Sequence, residues 1–146
     1  MFYEDVVDGA VFRTGSHVVS SREIAEFASR FDPQPMHLDS VFAADLEFGE
    51  VIASGFHTMA LAWRLWVETG MDTHGRGGLG LDGARWFRPV VAGTVIQCRV
   101  RLAGPRLTSR GKGMATMHFD VLDGTDELLM KFTTVGLFAR RSDGMD

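Results

Sequence analysis

Residues 56–68, Phe-His-Thr-Met-Ala-Leu-Ala-Trp-Arg-Leu-Trp-Val-Glu, constrain the fold more than any other stretch. Phe56, Met59, Ala60, Trp63 and Val67 recur at helical spacing as one apolar stripe, and Leu61, Ala62, Leu65 and Trp66 fill much of the remaining circumference. Arg64 and Glu68, an i, i+4 pair, are its main charged residues. A helix apolar nearly all round is buried on most sides, so something must wrap it. The residues that follow can do so. Ala84–Val90, Thr94–Leu102, Met114–Leu122 and Leu128–Ala139 read as strands, with Val95, Cys98 and Val100 set among Gln97, Arg99 and Arg101. Arg88-Pro-Val-Val-Ala-Gly93 is a turn, Gly104–Gly113 a long polar hairpin loop, and Asp123-Gly-Thr-Asp126 a tight turn whose Asp-Gly step is a strong hairpin signal. Consecutive strands with short turns pair antiparallel. The expected architecture is α+β: a curved antiparallel sheet wrapped around one long central helix.

Ahead of that helix, Val11–Val19 reads as a first strand. Ser20-Ser-Arg-Glu23 matches a capping box, in which serine hydroxyl and glutamate satisfy each other's orphan backbone donors. Ile24, Phe27, Ala28 and Phe31 follow at i, i+3, i+4, i+7, giving a helix that Pro33 stops. Ser40–Leu46 is a short helical candidate. Thr69–Gly83 is glycine-rich and reads as a flexible loop entering a strand; its G-x-G-x-x-G matches neither follow a clear strand nor open a helix, so they are no dinucleotide fingerprint.

The chemistry concentrates between these elements. Pro33 and Pro35 fix their own φ and push Asp32 and Gln34 toward extended conformations. Asp32 and His37 are therefore presented together on a stiffened turn. Gly55 opens the central helix, where backbone N–H groups and the positive dipole end face any incoming anion. Acid, imidazole and a preorganised anion site suit proton transfer beside a carbonyl. Ser54, at the helix start, reads as an N-cap before a nucleophile. Gln34 either positions the turn or contacts substrate, and His57 either lines a pocket or sits in the core.

A length of 146 residues fits a single domain over 1–146. The net charge of −4 argues against a broad nucleic-acid footprint. Cys98 is the lone cysteine, which rules out an internal disulfide and a cysteine zinc cluster. His17, His74 and His118 show no ligand spacing, so no metal is assigned. The start lacks a basic region followed by an apolar run, and no apolar stretch reaches the roughly 18 residues of a membrane span, so the cytosol is the expected compartment.

Asp32-Pro-Gln-Pro-Met-His37, Ala53-Ser-Gly-Phe-His57 and Phe87-Arg-Pro-Val-Val-Ala-Gly-Thr94, in this order, resemble the MaoC-like dehydratases, the (R)-specific enoyl-CoA hydratase group of the hotdog fold. The resemblance spans roughly Val11 to Leu137. Phe31 stands where the family has a glycine before the acid, and Gln34 where it has an asparagine. The resemblance implies that Asp32 and His37 handle the water, that the Gly55 N–H holds a thioester oxygen, and that both atoms of water add to one face of a 2,3-double bond. It implies an acyl thioester as substrate, coenzyme A being part of that substrate with no separate cofactor, and a homodimer or higher assembly with sites at the subunit interface. The family's small hydroxyl residue further along the helix falls near Trp63, whose indole either shortens the acyl pocket or turns into the core. Arg85, Arg88, Arg106, Arg110 and Lys112 are candidates for the phosphates of coenzyme A.

Two other readings compete. A hotdog thioesterase typically carries its acid on or beside the central helix, and here none occurs until Glu68. A non-catalytic acyl-CoA-binding subunit is suggested by Phe31 and Gln34.

Overall fold

The structure, a computed structural model, describes residues 1–143. Its elements in order are β1 (Val11–Val18), α1 (Ser21–Phe31), a 3-10 turn (Pro35–His37), α2 (Ser40–Ala44), α3 (Gly55–Glu68), β2 (Gly75–Trp86), β3 (Val95–Leu107), β4 (Gly113–Leu122) and β5 (Leu128–Phe138). The five strands make one sheet in the order β1-β3-β4-β5-β2, every neighbouring pair antiparallel. The sheet curves around α3 in the hotdog arrangement expected from the sequence.

Strand alternation decides which face curls inward. Ile96, Cys98, Val100 and Leu102 of β3 are buried, and Ala115, Met117, Phe119 and Val121 continue the same face across β4. Arg99 and Asp120 alternate with them on the outer face and pair at 2.8 Å. Against the inner face α3 lays Leu61, Ala62, Leu65 and Trp66. Trp66 is fully buried and meets Phe12 and Phe119 edge-on, at centroid separations of 5.9 and 6.2 Å. Phe119 stacks in turn on Phe132 at 4.5 Å.

Three expectations need correction. The stripe Phe56, Met59, Ala60, Trp63, Val67 is the outward face of α3, with Phe56, Trp63 and Val67 exposed; the residues that filled in around it make the core. The glycine-rich passage is not a loop: Gly75 onward is strand, paired with β5 and broken by three register shifts that glycines permit. The long hairpin loop is shorter than expected, because β3 continues to Leu107 through an irregularity between Ala103 and Arg106. The β4–β5 turn falls at Asp123–Asp126 as expected, but its left-handed residue is Asp126 (φ 65°) and not the glycine of the Asp-Gly step, and the Asp123 carboxylate accepts the backbone N–H of Thr125 and Glu127.

Candidate active site

The ends of α1 and α3 are built so that they meet. Ser20 and Glu23 form the expected capping box at the start of α1. At the other end Asp32 is the C-cap, its N–H still bonded to the Ala28 carbonyl. Pro33 prevents continuation, and Pro35 opens the 3-10 turn that carries His37 inward. The segment before α3 then docks between two others, Ile52 N–H bonding Met36 O at 3.3 Å and Ala53 N–H bonding Val90 O at 2.7 Å. This places the Ile52 carbonyl beside His37 and Ser54 beside Asp32.

Asp32 Oδ2 accepts the Ser54 hydroxyl at 2.6 Å, and Oδ1 accepts the Gln34 amide at 2.8 Å. His37 Nε2 lies 3.4 Å from Asp32 Oδ2, and both side chains are largely buried. On its far side His37 Nδ1 is 2.7 Å from the Ile52 carbonyl. A carbonyl oxygen only accepts, so Nδ1 carries a proton, and in that tautomer of the imidazole Nε2 is the acceptor nitrogen turned toward the carboxylate. The hydrogen bonds from Ser54 and then Gln34 hold the Asp32 carboxyl below its ordinary value, against the opposing effect of burial. An anionic oxygen and a bare ring nitrogen thus converge on one point. Both are acceptors, so the group that satisfies them together is a donor such as water.

Ser54 also accepts the Phe56 N–H at 3.2 Å, confirming its expected place as N-cap of α3. One hydroxyl therefore caps the helix and orients the acid. Gly55 follows at the first helical position. Its N–H needs no partner within the helix and has no acceptor among the described residues. A Cβ on Gly55 would stand 2.5 Å from Trp86 Nε1, and that indole N–H donates to the Gly55 carbonyl at 3.1 Å. Only glycine fits so close an approach.

Asp32, His37 and Gly55 line one cleft of about 460 Å³, walled by Phe48, Phe56 and Trp86. Gln34 and Arg88 line it too. Arg88 is held by Asp123 at 2.5 Å. The other cations fall elsewhere. Arg85 is exposed and bonds its neighbour's carbonyl, that of Ala84. Lys112 precedes Gly113, which pairs with Phe138, whereas Trp86 at the cleft pairs with Met130; eight residues of β5 separate the two, roughly 26 Å. Lys112 and Arg110 in that hairpin, with Arg106 beside it, are thus at the opposite end of the sheet and do not serve this cleft within one protomer.

Trp63 is likewise not in the cleft wall. It leans on Phe119 at 5.9 Å from the flank of α3 and is 36% exposed. His57 is buried in the packing between α1 and α3, stacked on Phe27 at 4.8 Å, and is not a lining residue. Phe31 points away from the cleft, 66% exposed, with its ring against Phe27. The sequence reading missed the role of Trp86, whose only signal was its position beside Phe87-Arg-Pro. It also missed that Ser54 bonds Asp32.

A family model described as "MaoC like domain" matches residues 6–120. A crystal structure of a MaoC-like dehydratase from Rhodospirillum rubrum is 30% identical, covers 97% of this chain and 98% of its own, and superposes with a TM-score of 0.89. An (R)-hydratase from A. caviae involved in PHA biosynthesis is 25% identical over 91% of this chain and 97% of its own, with a TM-score of 0.72. Among curated proteins, the uncharacterised protein YdeM of Bacillus subtilis (strain 168) is 43% identical over 70 residues, 48% of this chain and 50% of YdeM. That match spans half the length of YdeM.

Proposed function

The chain belongs to the MaoC-like domain family, and from that premise we propose that it is an acyl-thioester hydratase or dehydratase acting on a 2,3-enoyl thioester, with coenzyme A as part of the substrate. The observation that carries this reading is the convergence of Asp32 Oδ2, His37 Nε2 and the Gly55 N–H on one aromatic-walled cleft.

In the hydration direction the thioester oxygen lies against the Gly55 N–H at the positive end of α3, where negative charge develops as carbon 3 is attacked. Water sits between Asp32 and His37 and donates one hydrogen bond to each, and only one of these protons is transferred. Asp32 is already held by hydrogen bonds from Ser54 and Gln34, which suits its carboxylate to orienting. Asp32 therefore orients the water and steadies the imidazolium, while His37 Nε2 takes the proton. The water oxygen bonds to carbon 3, the π electrons move toward the thioester oxygen, and the imidazolium returns a proton to carbon 2 on the same face. Atoms and charge balance without a cofactor.

Two features favour the catalytic reading over a non-catalytic subunit. Phe31 is exposed and is not among the residues that line the cleft, and Gln34 donates to the Asp32 carboxylate at 2.8 Å. The test is to incubate the protein with enoyl-CoAs of several lengths and follow the loss of conjugated-enoyl absorbance. Asp32→Asn and His37→Ala are expected to lower turnover by about 10²-fold or more while leaving the protein folded. Near-full activity in either variant would mean that the pair is wrongly assigned.

A further inference from the structure

A second set of titratable side chains meets between α1, α3 and β1, away from the cleft. His17 of β1 sets its Nε2 2.8 Å from Glu23 Oε1. His57, in the first turn of α3, sets its Nε2 3.6 Å from the same oxygen. Glu23 Oε2 meanwhile accepts both the backbone N–H and the hydroxyl of Ser20. Burial raises the Glu23 carboxyl, but hydrogen bonds from His17 and Ser20 outweigh it and leave the group below its ordinary value. Burial likewise lowers His57, with Glu23 opposing, so the ring is neutral. His57 is only 5% exposed, and its Nδ1 finds no partner among the described residues. A bare ring acceptor is cheaper to bury than a bare N–H, so the proton belongs on Nε2, facing the carboxylate.

The cluster has a lever attached to it. Glu23 lies in the first turn of α1 and Asp32 caps its last, about 14 Å away along a straight helix. α1 and α3 touch at three levels: Glu23 with His57, Phe27 with His57, and Asp32 with Ser54. A tilt of α1 by only about 4° at the Glu23 end would carry Asp32 by ~1 Å, enough to break its bond to Ser54. We propose that Glu23, held between His17 and His57, is a positioning residue: it sets the pitch of α1 on α3 and thereby the place of the Asp32 carboxylate at Ser54 and His37. The kinetic part rests on Asp32 acting in the reaction; the geometric part does not.

The variant to make is Glu23→Gln, since glutamine can also complete a capping box while the charge is removed and the oxygen facing His17 and His57 becomes an amide donor. In its crystal structure the Ser54 Oγ to Asp32 Oδ2 separation is expected to lengthen from 2.6 Å to beyond hydrogen-bonding reach. With an enoyl-CoA, kcat should fall by at least about tenfold with KM little changed, the scale of a small misplacement of a catalytic group. In the Asp32→Asn background the same substitution should cost nothing further, which a general loss of stability would not reproduce. His57→Gln, which keeps a donor toward Glu23, should retain more activity than His57→Leu. An unchanged Ser54–Asp32 separation with full kcat, or an equal loss in both backgrounds, overturns the proposal. If the wild type hydrates no enoyl thioester, the functional reading fails instead, and the separation measured in the crystal still decides the positioning.

Discussion

Asp32 is held by two donors, and they are not equivalent. Gln34 reaches it from the solvent side at 2.8 Å, whereas Ser54 is wholly buried and ties it to the start of α3. Ser54→Ala therefore removes a cap, worth about 1 kcal/mol, and frees the acid at once. Its pH signature follows from the direction of the Asp32 shift. A carboxyl lowered on folding contributes stability above its unfolded value near 3.9, and loses it as pH falls through the folded value. Urea unfolding should thus show the gap between wild type and Ser54→Ala widest at neutral pH and narrowing progressively as pH falls below about 3.9 toward and through the lowered folded value. A gap that does not narrow would mean that Ser54 does nothing for the carboxylate. Gly55 offers a second test. Gly55→Ala drives a methyl into the Trp86 indole and should destabilise the fold, while in a Trp86→Ala background the same change should stabilise it by roughly 0.4–1 kcal/mol through the unfolded chain.

At the scale of elements, legibility followed how local the cause was. The α1 capping box and its stop at Pro33 depend on neighbours in sequence, and both were readable from Ser20, Glu23 and Pro33. The Asp32–His37 pairing was readable because two prolines fix the turn. The outward side of α3 was not. Periodicity gives a stripe but not which way it faces, and with apolar residues nearly all round, the choice fell to the concave sheet, which received Leu61, Ala62, Leu65 and Trp66. The strand character of Gly75–Gly83 comes from pairing with β5, a partner some fifty residues on that composition does not announce. Two substitutions separate the faces of α3. Trp66→Ala should cost about 3–5 kcal/mol in denaturant unfolding, because it empties a site fully closed by Phe12 and Phe119. Trp63→Ala should change specificity constants for short and long enoyl-CoAs alike, since its indole lies outside the cleft. A selective gain for longer chains would restore Trp63 as an acyl-pocket wall.

Taken whole, the chain leaves a long edge uncovered where β2 ends the sheet. β2 is a twelve-residue edge strand whose residues are almost all exposed, Leu79 and Leu81 among them. Edges of that length invite pairing unless charges or bulges block them. β2 is bent by its register shifts but carries only Arg76, Asp82 and Arg85 as charged residues. The other edge, β1, has a register shift of its own and is shorter at eight residues, so length is what favours β2. β2 also runs straight into Trp86 at the cleft, and the outward face of α3 adds Phe56, Trp63 and Val67 to the exposed apolar area. A long exposed edge carrying apolar side chains marks an interaction site, and a second copy of the chain offers the matching edge. The expected state is therefore a homodimer joined through β2, with each cleft beside the partner. Sedimentation at micromolar concentration should give twice the 16.1 kDa chain mass. Leu79→Lys together with Leu81→Lys should shift it toward monomer, whereas Val11→Lys on β1 should not. A monomeric wild type rules the dimer out, and a dimer indifferent to the β2 lysines but broken by the β1 change moves the interface to the opposite edge.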